Sequence, residues 1–339
     1  MKTLTIRSPD DFHVHLRQNG MLDRVLIHSA KHFGRVLAMP NTRPPLLTEH
    51  DVYPYRGEIL TKALHENDWS PFEILSAIQI TDATTPEIVR AARIPCVAGK
   101  LYPAGVTTGS DNGVSDIEPL FPVFEAMQAC GMMLSLHGEH PGAQYDDIDR
   151  EAAFMHVLHR IVHLFPDLKI VLEHVSHRAG VSAVLKYDNV AATVTPHHLL
   201  LTMNDVHGAK LQPHHFCKPT PKRFADRDAI LRQVLDGHPK FFLGTDSAPH
   251  LRETKECADG CAGVFNAPVT MPLLAELLER HGALDRLEDF TSRFGAEWYG
   301  LRLNHGTITL ERVPWKVPEH YETVVPLWAG RTIQWRHAD

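Results

Sequence analysis

At 339 residues, 43% of them hydrophobic and 22% charged, the chain has the composition of a globular protein and can bury a large core. Its formal charge of −7, without any basic run, argues against nucleic acid and leaves small molecules as the expected partners. No apolar run approaches the roughly 20 residues of a membrane-crossing helix, and the opening MKTLTIRSPDDFHVHL lacks a signal-like core, so no membrane partner and a cytoplasmic location are expected.

Eight short apolar runs bounded by turn residues follow one another along the chain. They are Phe12 to His15, Arg35 to Met39, Phe72 to Ile80, Cys96 to Tyr102, Met132 to His137, Leu168 to His174, Val190 to Thr195 and Phe241 to Thr245. Several are apolar throughout, as strands of a parallel sheet covered on both faces must be. Helical patterns lie between them, among them Pro119 to Cys130, ending at Gly131 where a C-terminal cap belongs, and Ile148 to Leu164. Eight such units predict an α/β protein built as a closed (β/α)8 barrel. No repeat, low-complexity tract or linker divides the chain, so residues 1–339 read as one barrel domain. A C-terminal tail begins at about Glu311, with Val324 to Leu327 and Thr332 to Trp335 as short strand-like pieces.

The five cysteines are odd in number and mostly far apart, which fits reduced thiols. Cys257 and Cys261 form a lone CxxxC with no second pair, a weak zinc signal.

Polar residues at the strand ends carry the chemistry. The first run ends in His13-Val14-His15, and period-two alternation turns both imidazoles to one side, where they can reach one ion. An HxH pair alone says little in a chain with 24 histidines. His137, His174 and Asp246, however, each follow an apolar run, at the face where barrel enzymes carry their active sites. Burying an ionised carboxylate without a partner is costly, and a cation among these groups removes that cost. Lys100 stands at the same rim and looks out of place, since an ammonium repels metal; its plain reading is an ion-pair donor.

The runs FHVHLR, AMPN (Ala38 to Asn41), KLYPAG (Lys100 to Gly105), LHGE (Leu136 to Glu139), LEHVS (Leu172 to Ser176), GTDSAPH (Gly244 to His250), GCAG (Gly260 to Gly263) and FNAP (Phe265 to Pro268) together resemble the dihydroorotases of the single-domain bacterial type, nearly end to end. That resemblance implies a (β/α)8 amidohydrolase barrel with a binuclear metal centre at the C-terminal face of its strands. It implies one zinc ion held by His13, His15 and Asp246 and a second by His137 and His174. Lys100, carboxylated by carbon dioxide to N6-carboxylysine, and a hydroxide would bridge the two. Nitrogen and oxygen donors of this kind suit zinc. The cluster would keep a net positive charge and attract the anionic substrates the resemblance implies, N-carbamoyl-L-aspartate and L-dihydroorotate of pyrimidine biosynthesis. Asp246 is then the catalytic acid and base for attack by the metal-activated hydroxide and for its reversal.

Arg17 follows His15 by two residues, so a continuing extended chain would aim its guanidinium at the same mouth, suited to a carboxylate. The resemblance assigns Arg17, Asn41 and His250 to the substrate carboxylate, and Ala262 to a backbone contact. Lys218 stands where some members carry a leucine whose backbone touches the pyrimidine ring. The Gly-rich stretch Pro103 to Gly113 resembles the family's mobile lid, with Thr107 and Thr108 closing over substrate. His197-His198 either supports the site or lies at the surface. A homodimer is implied by the same resemblance.

Three rivals are weighed against this reading. A hydantoinase, dihydropyrimidinase or allantoinase would share the metals but need no carboxylate site, which Arg17, Asn41 and His250 argue against. An inactive homologue serving as a binding scaffold would not need to keep every ligand, and a mononuclear deaminase would not need Lys100.

Overall fold

The computed structural model describes residues 2–65, 72–107, 110 and 113–338. Eight parallel strands stand side by side in chain order: β1 (Asp10–Val14), β2 (Arg35–Ala38), β3 (Glu73–Ile80), β4 (Ala98–Leu101), β5 (Met133–His137), β6 (Ile170–Glu173), β7 (Val190–Val194) and β8 (Phe241–Leu243). Each falls on one of the eight predicted runs, and helices fill the intervals. The seam between β8 and β1 closes just beyond the ends of those strands: Asp246 donates its backbone N–H to His13 at 2.8 Å and His15 to Ser247 at 3.0 Å. Val14 and Ser247 form a parallel bridge there. The fold is a nearly closed (β/α)8 barrel.

Period-two alternation sorts the strands into layers. Ala98, Met133, Val171, Ala191 and Phe242 face inward and form one apolar cluster with Phe12, sealed by Phe294 and Tyr299. Two residues further along, the same inward face carries Lys100, Ser135, Glu173 and Thr193, all buried. The barrel interior is therefore oily below and polar at the rim.

Strand β1 departs from simple alternation. Its pairing with β2 shifts register between Asp11 and Val14, the mark of a β-bulge. The bulge lets Phe12 join the apolar layer while the adjacent His13 also faces the barrel's mouth, its ring 5.0 Å from that of His174.

Helix ends follow local chemistry. The Pro119 to Cys130 segment resolves into a 3-10 turn, Glu118–Leu120, and an α-helix, Phe121–Cys130, closed by Gly131 at φ 69°. Such a left-handed cap favours glycine. Likewise the Ile148 to Leu164 pattern becomes a 3-10 turn, Asp147–Asp149, and an α-helix, Arg150–Leu164.

Four strands outside the barrel went unread in the sequence. Thr3–Arg7 pairs antiparallel with Thr307–Glu311, which pairs in turn with Arg336–His337. After Glu311 the chain lies against the barrel, burying Leu327, Ile333 and Trp335 completely. Of its expected strand-like pieces, Thr332–Ile333 pairs with Trp315–Lys316, whereas Val324 and Pro326 form only isolated bridges. No described helix is long and apolar enough to cross a membrane.

Candidate active site

The polar layer opens into a small cavity at the C-terminal ends of the strands. All the sequence-predicted site residues except Lys100, His250 and Thr108 line it, together with Tyr102, Ala248 and Gly263. Thr108 lies outside the described residues. His250 lines an adjoining outer cleft that shares Arg17 and Asn41 with the cavity. Lys100 is buried, its ammonium 5.0 Å from the centre of the Tyr102 ring.

Four imidazoles run through the site in sequence. Ring centres are 5.3 Å apart for His15 and His13, 5.0 Å for His13 and His174, and 4.8 Å for His174 and His137. Donor atoms of His13, His15 and Asp246 lie within 4.8 Å of one another. His15 Nε2 is 3.0 Å and His13 Nε2 3.5 Å from Asp246 Oδ1.

Three of the four rings are fixed by a partner at the outer nitrogen. His13 Nδ1 meets Glu173 at 2.7 Å, His15 Nδ1 meets Asn41 Oδ1 at 2.8 Å, and His137 Nε2 meets Glu139 at 2.9 Å. Glu173 is further gripped by the hydroxyls of Ser135 and Thr193, and Glu139 faces the buried Lys222 at 3.4 Å. Partners of this kind set tautomer and orientation, leaving the inner nitrogen's lone pair free for an ion.

Burial sets the charge states. It lowers His15 to about 4 and holds His137 and His174 below the usual imidazole range, so these rings are neutral near pH 7. Burial pushes the Asp246 carboxyl up, but the His15 hydrogen bond and the nearby rings outweigh it and hold the group below the usual carboxylate range. Glu139, raised by burial, is brought down to about 2 by Lys222 and His137.

Among the buried side-chain atoms without a partner are three at this site, Lys100 Nζ, His174 Nδ1 and the Tyr102 hydroxyl. Burial draws the Lys100 amine down to about 8 against the pull of Glu173 and Asp246. Orphaned polar atoms of this kind are rare in folded interiors. With four imidazoles and a carboxylate around them, they fit a site built for metal ions, and the all-nitrogen-and-oxygen donor set suits zinc.

The backbone at the rim is strained. His174 at φ 41°, Asp246 at φ 45° and Arg17 at φ 62° adopt the left-handed region without being glycine, as functional positions often do. Arg17 therefore does not continue β1 as extended chain. It turns, and its guanidinium reaches the carbonyl of Pro249 at 3.2 Å and Nε2 of His250 at 3.0 Å. These contacts hold it beside Asn41, whose amide nitrogen is left to donate.

Lys218 lines the cavity but is ion-paired with Asp147, which offsets the added cation. Thr107 reaches the cavity from a loop pinned by the buried Ser110, which accepts from the Thr107 N–H at 3.0 Å. His197 and His198 are buried, so the surface alternative for them falls. His197 contacts Asn266 at 3.1 Å, and His198 meets Thr195 at 2.9 Å and the Pro219 carbonyl at 3.0 Å. Cys257 is exposed, and neither it nor Cys261 belongs to a metal-ligand cluster among the described residues.

The orienting residues Glu139, Glu173, Ser135, Thr193 and Lys222 escaped the sequence reading. Glu139 and Glu173 did stand within the LHGE and LEHVS motifs, each beside a ligand-type histidine. Lys222 carried no local signal, because its partner is 83 residues away.

No family model matches the chain. The dihydroorotase of Teredinibacter turnerae is 45% identical over 341 residues, covering 98% of either chain. Dihydroorotase from Campylobacter jejuni superposes with a TM-score of 0.92 at 36% identity, over 99% of this chain and 98% of that one. Dihydroorotase from Saccharomyces cerevisiae, solved in complex with 5-fluoroorotic acid, superposes at 0.91 with 29% identity, over 100% and 99%. A parallel barrel with these side chains at its strand ends is that of the amidohydrolase superfamily, and the chain is an enzyme of that class, a hydrolase of cyclic amide bonds. Within the superfamily it belongs to the dihydroorotases.

Proposed function

We propose that the chain interconverts N-carbamoyl-L-aspartate and L-dihydroorotate in pyrimidine biosynthesis, using two zinc ions in the cavity described above. The observation that carries this reading is the shared cavity. It joins the histidines and Asp246 to Arg17 and Asn41, so groups able to hold metal ions and groups suited to a carboxylate face the same small space. His13, His15 and Asp246 would hold one ion, and His137 and His174 the other.

Lys100 would bridge the pair as its carbamate. The neutral amine adds to carbon dioxide, forming a nitrogen–carbon bond and releasing a proton, and the lowered basicity of this amine favours the neutral form. A bound zinc pair supplies Lewis acidity at the reacting carbonyl and makes a water molecule acidic enough to react near neutral pH.

The chain's own groups handle protons and substrate. Asp246 accepts a proton from the attacking water during ring opening and delivers it to the departing ring nitrogen. Microscopic reversibility makes the same carboxylate take the proton from the carbamoyl nitrogen when the ring closes. Asn41 holds His15 in one tautomer while its own amide donates to the substrate carboxylate. Arg17, braced by Pro249 and His250, supplies the charge-assisted contact. Thr107 and Thr108 would close over the ring and exclude water. Over residues 1–339 we read one barrel domain with its tail from about 311, working in the cytosol, where the five free cysteines stay reduced, and pairing as a homodimer.

The purified protein assayed on dihydroorotate and dihydrouracil tests the substrate. Dihydroorotate is expected to be turned over far faster, and preference for dihydrouracil would move the chain to the dihydropyrimidinases. In the Arg17→Ala variant the KM for dihydroorotate should rise by roughly ten- to a hundredfold, the value of a charged hydrogen bond, with zinc content unchanged. An unaltered KM removes Arg17 from the carboxylate site.

A further inference from the structure

Lys255 ends a short helix, Arg252–Lys255, and is buried. Among the described residues no carboxylate pairs with it. Its three ammonium hydrogens are spent on three backbone carbonyls instead: Phe216 at 3.0 Å, Cys261 at 2.9 Å and Gly263 at 2.5 Å. An unpaired buried cation is costly to keep, and a core helix end does not need one. The arrangement therefore calls for a reason.

These carbonyls belong to the two loops that form one wall of the cavity, where Lys218, Ala262 and Gly263 stand. Gly263 also donates its N–H to Phe216 at 2.9 Å, tying the loops together. It sits at φ 149°, and a Cβ there would lie 2.5 Å from the Ala248 carbonyl oxygen, so the loop follows a path open only to glycine. In a trans peptide the C=O and the following N–H point in opposite directions. Drawing the carbonyls of Phe216 and Cys261 toward Lys255 turns the N–H groups of Cys217 and Ala262 the other way. Neither of these N–H groups has an acceptor among the described residues.

We propose that Lys255 is a positioning residue for the substrate: by holding the carbonyls of Phe216, Cys261 and Gly263 outward, it presents the N–H groups of Cys217 and Ala262 to the carbonyl and carboxylate oxygens of a cyclic amide acid. This rests on the reading of the cavity given under Proposed function. Lys255 touches neither the reacting atoms nor the proposed metal ligands, so it acts on binding rather than on the chemical step. Burial draws its ammonium down to about 8, consistent with a cation held only by dipoles.

The test compares Lys255→Met, which fills the space without donating, with Lys255→Arg, which keeps charge and donors. Calorimetry with orotate and steady-state kinetics with dihydroorotate are run on each zinc-loaded protein. In Lys255→Met the orotate Kd and the KM are expected to rise together by roughly tenfold or more, with kcat within about threefold and zinc content unchanged. Lys255→Arg should recover most of that loss. Unchanged Kd and KM in Lys255→Met, a fall in kcat with KM unmoved, or an arginine variant no better than methionine overturns the proposal. If Lys255→Met does not fold, Lys255→Gln, which keeps two donors, decides: a Kd raised about threefold or more supports positioning, and an unchanged Kd rejects it. A wild-type protein inactive on dihydroorotate overturns the substrate reading and this inference with it, whereas an active wild type with indifferent variants overturns this inference alone.

Discussion

Changing Lys100 to alanine is expected to lower turnover by roughly a thousandfold or more and to strip the site of at least one of the two proposed ions. The magnitude follows from the role: a bimetallic centre contributes several kcal/mol to the transition state, and about 4 kcal/mol corresponds to a thousandfold in rate. Stability should move the other way. Lys100 Nζ is fully buried without a hydrogen-bond partner, so its removal relieves a desolvation cost that attraction to Glu173 and Asp246 offsets only in part. The metal-free variant should therefore melt no lower than the metal-free parent, although truncation leaves some empty space. Metal analysis with thermal melts in chelator checks both halves. An active variant with full zinc content would leave Lys100 as an ordinary buried amine.

Asp246→Asn should keep fold and most of the metal while losing roughly a hundred- to ten-thousandfold in kcat, the range of general acid–base catalysis. Asparagine is chosen for a backbone reason. Asp246 sits at φ 45°, a conformation that Asn tolerates nearly as well as Asp and that alanine resists. The backbone bond from Asp246 to His13 that closes the barrel seam is untouched by the change. What disappears is a carboxylate able to carry a proton at 3.0 Å from His15. Circular dichroism, zinc content and steady-state kinetics separate the two effects; near-normal turnover would assign proton transfer to another group.

The barrel was legible because both faces of its strands are buried, which writes an apolar run eight times over. The ligand-type residues stood out because each follows such a run, where a polar group needs a purpose. Thr3–Arg7 and Thr307–Glu311 were missed for the opposite reason. Their mixed, half-exposed residues alternate weakly, and each strand exists only through a partner some 300 residues away. The bulge in β1 was also hidden, since FHVHL alternates well enough on paper. Its shift of register is set by pairing with Arg35–Ala38 and by the need to seat Phe12 against Tyr299, with ring centres 4.8 Å apart. Arg17 was aimed correctly by the wrong route, through a left-handed turn rather than an extended strand. Of the carboxylates behind the imidazoles, Glu173 reaches His13 from across the barrel, a pairing no local pattern announces, whereas Glu139 stands only two residues beyond His137.

The antiparallel clasp between Thr3–Arg7 and Thr307–Glu311 bears on how the polypeptide is made. Thr3–Arg7 has no mate until translation has passed residue 307, so a bare edge stays open while the whole barrel between them is made. The hydroxyls and the arginine of TLTIR suit that wait, because a polar, charged rim discourages stray pairing with other nascent strands.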